Sequence, residues 1–172
     1  MKIKRYITIL FSVIILVAVD IVTKIIATSN LKGQPAVTFI DGILEFRYLE
    51  NRGMAWGLFS GARYIFIALT IIALIVLAYI FVKTPYEKRY RPLLLVLTVL
   101  TAGATGNMID RIFLGYVRDF ICTTFIDFPI FNVADIYATC SMIALMIIVL
   151  FVYRKDDDFD FLKPVRKNNK ED

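Results

Sequence analysis

The sequence predicts an all-α membrane protein: four transmembrane helices with a small external β-rich patch between helices one and two. Three observations predict it. Apolar residues make up 59% of the chain and mean hydropathy is +0.70, high for a water-soluble globule of 172 residues. The apolar residues gather in four stretches, at 6–26, 64–82, 92–109 and 136–153. A hydrocarbon core about 30 Å thick takes roughly 20 helical residues, so each stretch is of spanning length. Lys and Arg are concentrated in short segments between those stretches, so the net charge of +5 points to a membrane rather than to nucleic acid.

The first stretch follows Lys2, Lys4 and Arg5, which resembles the start of a signal peptide. No small-x-small cleavage site follows closely and three further spans exist, so it is read as a retained helix. The segment after it, 27–63, is expected outside the membrane. Within it, Leu44-Glu45-Phe46-Arg47-Tyr48-Leu49 alternates apolar and charged residues at the strand period, just after the turn signal Asp41-Gly42. The second stretch carries no charge. KTPYEKRYR, residues 83–91, holds Lys83, Lys88, Arg89 and Arg91 and is expected to be cytoplasmic. The N-terminus and the tail 154–172, which opens with Arg154 and Lys155, are expected on the same side. Segment 110–135 is expected outside, and residues 1–172 form a single membrane domain on this reading.

No histidine is present, so triads and metal sites that need imidazole are excluded. Cys122 is expected in a loop and Cys140 in an apolar span, with no disulfide framework. On this topology Asp20, Lys24, Asn51, Asn107, Asp110, Arg111, Asp119, Asn132 and Asp135 all fall at or near the outer boundary. Ionisable groups at membrane depth are costly and point to function. Plainer roles compete. Asp20 and Lys24, four apart on a helix, fit a structural ion pair. Small residues at 101–106 fit close helix packing. Asp110 beside Arg111 fits helix-end chemistry, Asp127 fits a solvated loop charge, and Asp135 fits a partner for the dipole of the fourth helix.

Carboxylates without histidine leave several chemistries open. An aspartate pair can share a proton and activate water. Several carboxylates can hold magnesium or calcium. Ser29 or Ser60 with Lys24 would make a Ser-Lys dyad, although Asp20 keeps Lys24 charged and a poor base. A proton or ion relay through a small transporter is a further class, but no inverted repeat or inner-half charge supports it.

Four sequence blocks resemble one family. GNMIDRIFLGYVRDF from Gly106 to Phe120, FNVAD from Phe131 to Asp135, Asp20-x-x-Thr23-Lys24, and Asn51-Arg52-Gly53-Met54-Ala55-Trp56-Gly57 are similar, in order, to the motifs of the lipoprotein signal peptidases, or signal peptidase II. The resemblance covers most of residues 6–153. It implies an intramembrane aspartic endopeptidase with no metal or other cofactor. Its substrate would be a diacylglyceryl-modified prolipoprotein, cut before the lipidated cysteine at the outer face of the bacterial cytoplasmic membrane, with both termini cytoplasmic. The implied catalytic dyad is Asp119 and Asp135. Asn51, Asn107, Asp110, Arg111 and Asn132 take supporting or substrate-binding positions, and Asp20 and Lys24 take those of a structural ion pair. The implied partners are the substrate, membrane lipid and the inhibitor globomycin. Trp56 stands where the family often has Phe.

Overall fold

The computed structural model describes residues 2–53, 62–126, 128–154 and 158–163. Met54, Ala55, Trp56, Gly57, Ser60, Asp127 and Lys155 lie outside them, so the aromatic position of the upstream motif, the second serine and the loop charge are not described.

Helix α1 runs from Lys2 to Leu31 and β1 from Val37 to Ile40. Strand β2, Leu44–Asn51, follows across the Asp41-Gly42 turn. Then come α2, Arg63–Lys83; a short 3-10 turn, Lys88–Tyr90; and α3, Arg91–Phe113. Strand β3, Val117–Thr123, leads to α4, Val133–Ile147, which continues as a π-helical turn to Val152. Four helical stretches, Ile3–Leu31, Arg63–Lys83, Lys88–Phe113 and Val133–Val152, are long and apolar enough to cross a membrane. Helix α3 continues beyond the apolar stretch, carrying Asp110 and Arg111 in its last turn.

Helix α3 is the centre of the bundle and packs against α1, α2 and α4. Its buried residues include Leu93, Leu97, Ala102 and Gly106, whereas α1, α2 and α4 turn most of their apolar side chains outward. Leu69 and Leu150 are each 57% exposed, as expected of side chains whose surroundings are acyl chains rather than water. Gly103 and Gly106 set the α3–α4 spacing. A Cβ on Gly103 would meet the Ala134 carbonyl oxygen and the Ala138 nitrogen, and one on Gly106 would enter the Asp20 carboxylate. Small residues here let backbones approach where lipid supplies no hydrophobic drive between helices.

One end of the bundle gathers the basic segments. Arg5 on α1 donates to the Thr84 and Pro85 carbonyl oxygens, each at 3.1 Å, a cation at the C-terminal end of α2. Beside it Tyr90, Tyr153, Phe159 and Phe161 form a ring cluster. Arg89 pairs with Asp158 there, its Nε 2.8 Å from Oδ1.

The opposite end carries a three-stranded antiparallel sheet in the order β1-β2-β3. Two strands come from the segment between α1 and α2, as the alternation predicts. The third, β3, comes from the segment between α3 and α4. Cys122 therefore sits in a strand and is buried, not in a loop. The register puts Leu49 opposite Asp119 and Asn51 opposite Val117.

Gly106→Ala should cost about 1–3 kcal/mol, because the methyl must displace a buried carboxylate. Thermal unfolding in detergent measures it as a lowered midpoint.

Candidate active site

The site lies where the sheet meets the ends of α3 and α4. Asp119 comes from β3 and is 1% exposed. Its Oδ2 accepts from Asn51 Nδ2 at 2.9 Å and its Oδ1 from Asn132 Nδ2 at 2.6 Å. Asn51 reaches it across the strand pair: opposite Val117 in register, it meets Asp119 as a diagonal neighbour. Burial, and then the nearby Asp135 charge, push the Asp119 carboxyl up to about 7, although the two amide donors favour its ionised form.

Asp135 is the third residue of α4, and Asn132 is that helix's N-cap. The Asn132 side chain accepts from the Asp135 N–H at 3.1 Å, and the Asp135 carboxylate accepts from the Asn132 N–H at 3.1 Å. This reciprocal capping box ties up donors at the helix start and places a carboxylate at the positive end of the dipole. The plain reading of Asp135 as a helix-end group therefore holds alongside any chemical role. Its other oxygen accepts from Asn107 Nδ2 on α3 at 2.7 Å. Asn132 thus touches both aspartates, through its side chain to Asp119 and its backbone to Asp135.

Beneath this pair lies a dry ionic layer. Lys24 and Asp20 are 0% exposed and Asp110 is 1% exposed. Lys24 Nζ donates to Asp20 Oδ2 at 2.8 Å and to Asn107 Oδ1 at 2.9 Å, and lies 3.7 Å from Asp110. The second Asp20 oxygen accepts from the Ala134 N–H at 2.9 Å, so a side chain of α1 caps α4. Asp110 does not pair with its neighbour Arg111. Arg118 takes it instead, with Nε at 3.1 Å, Nη2 at 2.6 Å and its backbone N–H at 3.0 Å. Successive strand residues point to opposite faces, so Arg118 serves Asp110 while Asp119 faces the asparagines. Arg118 was missing from the sequence reading, and its charge beside Asp119 in Val117-Arg118-Asp119-Phe120 was the signal available for it.

Arg111 takes a different place, stacked 5.1 Å from the Phe66 ring centroid. With Asn51, Asp119 and Asp135 it lines a cleft of about 680 Å³. Phe128, Ile130, Phe131 and Ile136 give that cleft an apolar wall. All nine polar residues singled out in the sequence are described. Asp20, Lys24, Asn107, Asp110, Asn132 and both aspartates form one connected network, with Asn51 on Asp119 and Arg111 on the cleft. Among the described residues the Ser-Lys option finds no support: Lys24 is held by Asp20 and Asn107, and Ser29 is exposed. Among the described residues no three Asp, Glu or Cys side chains gather to hold a metal ion.

Such a bundle, with two aspartates on a cleft at the end of its helices, defines a multi-pass membrane protein. The chain belongs to the signal peptidase II family, whose model, described as signal peptidase (SPase) II, matches residues 12–151, and by that membership it is a protease. The lipoprotein signal peptidase of Latilactobacillus sakei is 45% identical over 114 residues, 66% of this chain and 74% of its own. That of Clostridium acetobutylicum is 36% identical over 148 residues, 84% of this chain and 92% of its own. A bacterial membrane enzyme structure obtained by the in meso method at 2.3 Å resolution is 34% identical, with a TM-score of 0.74. The likeness covers 87% of this chain and 92% of that one.

Lys24→Ala should destabilise the fold by about 3–5 kcal/mol, because Asp20 loses its partner where water cannot replace it. Asp20→Ala combined with Lys24→Ala should be milder than the sum of the single changes, as read from unfolding midpoints of all three variants.

Proposed function

We propose that this protease removes the signal peptide from diacylglyceryl-modified prolipoproteins, with Asp119 and Asp135 as the catalytic pair. One observation carries the reading. Two aspartates from different elements, bridged by Asn132, open on a cleft with an apolar wall, and both stand on the family's motif positions. The chain acts as a single membrane domain. The gathering of Arg5, Arg89 and Arg91 at one end of the bundle supports cytoplasmic termini, which puts the sheet and the site at the outer face of the bacterial cytoplasmic membrane. The apolar wall of Phe128, Ile130, Phe131 and Ile136 supports recognition through the acyl chains of the modified cysteine, with the cut falling just before it. Globomycin inhibits by occupying the same cleft.

The reaction needs one proton on the pair. Asp119, buried and pushed up to about 7, keeps it below neutral pH. Asp135 takes a proton from a water that attacks the scissile carbonyl carbon, and Asp119 gives its proton to the carbonyl oxygen. The tetrahedral intermediate then collapses. Its C–N bond breaks, the gem-diol returns one proton to Asp119, and Asp135 passes its proton to the departing amine of the cysteine. Both carboxyls thus recover their starting states. Asn51 and Asn132 hold Asp119 in place, Asn107 holds Asp135, and Arg111 meets the substrate from the cleft wall.

Asp119→Asn and Asp135→Asn should each abolish processing of a purified diacylated prolipoprotein in a gel-shift assay while remaining folded in detergent. Near wild-type cleavage by either would refute the assignment, and globomycin should block the wild type. In the wild type, kcat/KM should fall as pH rises through about 7, because Asp119 then loses the proton it must donate. The sign is the same for stability. The folded state holds this proton up to about 7 and the unfolded chain only to its ordinary 3.8, so the Asp119 contribution to stability declines across that interval. Phosphatase fusions should be active after residue 45 and near residue 125, and inactive near residue 87 and at the C-terminus. Activity near 87 would reverse the topology.

A further inference from the structure

Pairing with Asp20 accounts for only one of the two Lys24 Nζ hydrogen bonds. Lys24 Nζ also donates to Asn107 Oδ1 at 2.9 Å, and the other end of that amide, Nδ2, donates to Asp135 Oδ1 at 2.7 Å. An ammonium has three donors and no acceptor. The Asn107 oxygen must therefore face Lys24, and its NH2 group must face Asp135. The other two asparagines are oriented by backbone instead. Gly53 N–H holds the oxygen of Asn51 at 3.0 Å, and Asp135 N–H holds that of Asn132 at 3.1 Å. Each then turns its NH2 toward Asp119. All three amides present donors to the aspartates, and only Asn107 owes its orientation to a side-chain charge.

We infer that Lys24 is a positioning residue of the reaction, acting through Asn107 to keep an N–H donor on Asp135. The inference rests on the reading of Asp119 and Asp135 as the catalytic pair. Without the ammonium, the donor remaining to Asn107 Oδ1 is Asn132 Nδ2 at 3.2 Å, which is already engaged by Asp119 at 2.6 Å. A turned Asn107 amide would set oxygen against oxygen at Asp135 and swing the carboxylate away from the attacking water. Arg111 offers no substitute, because it lies over the Phe66 ring on the cleft side. Lys24 is fully buried beneath this layer, and its charge serves two ends at once: it offsets Asp20 and fixes the amide.

The test separates this role from a purely structural one by reading kcat on folded protein. Lys24→Met, Asn107→Ala and their combination are purified in detergent and assayed on diacylated prolipoprotein. Because Lys24→Met strands Asp20, the neutral pair Asp20→Asn with Lys24→Met is assayed beside it. The asparagine there still offers an oxygen to the Ala134 N–H. Folded Lys24→Met, or the neutral pair, should lose kcat about 100-fold with KM little changed, the scale of a misplaced reacting group. Adding Lys24→Met to Asn107→Ala should bring no further loss of kcat, since the two changes remove one path. Asn107→Asp keeps both members of the ion pair and an acceptor for Lys24, but its ionised carboxyl has no N–H for Asp135, so it should fold and lose kcat to the same degree. Near wild-type kcat in any of these folded variants, or losses that multiply in the combination, would overturn the inference. Asp119→Asn in the same assay tests the catalytic pair separately: its activity would sink that reading, whatever Lys24 does.

Discussion

The carboxylate of Asp20 is the constraint on which the rest of this structure depends. It is fully buried, and its two oxygens make two different commitments: one to Lys24 on its own helix, the other to the backbone N–H of Ala134 at the start of α4. In a bundle surrounded by acyl chains, a charge at this depth is tolerated only when it is paired and each of its oxygens is hydrogen-bonded. The answer fixes geometry. Gly106 must lack a side chain so that α3 leaves room for the carboxylate, and α4 must begin where Asp20 can cap it. That start point sets the position of Asn132 and Asp135, three residues apart on the capping box.

Charge balance suits this layer to be a foundation for the aspartate pair proposed to react. Lys24 and Arg118 offset Asp20 and Asp110 within one network, and Lys24 gives its other hydrogen bond to the Asn107 amide oxygen. Asp119 and Asp135 join that network only through neutral groups. Their nearest donors are neutral amides and one backbone N–H, so their charge is stabilised without being neutralised. Burial, and then the neighbouring Asp135 charge, let the Asp119 carboxyl keep its proton up to about 7. Groups with spent charge support groups with available charge, and the asparagines are the joints between them.

The far end of the bundle solves a different problem. Its rings, Tyr90, Tyr153, Phe159 and Phe161, and its Arg89–Asp158 pair tie the turn before α3 to the segment after α4. Arg5 ties α1 to the end of α2. With both pairs of helix ends held there, the sheet end is left to carry the cleft.

Much of this was legible in sequence because it follows from short-range rules. Helix length against bilayer thickness determined four helices, the period-two alternation at 44–49 determined β2, and the i, i+4 spacing determined that Asp20 and Lys24 can meet. The motif blocks picked out polar residues that the fold joins in one hydrogen-bonded network. Contacts between distant segments were not legible. Nothing in 117–123 announces that it completes a sheet begun at Val37, because its buried residues read as ordinary apolar sequence. Adjacency in sequence suggested helix-end chemistry for Asp110 and Arg111, whereas a helix end and a strand with opposite-facing neighbours gave Asp110 to Arg118 and left Arg111 to the cleft. Residue types and periodicity thus determined the helices and the chemistry available. Tertiary structure alone decided which oxygen meets which donor, since that depends on where chains far apart in sequence are brought within hydrogen-bonding distance.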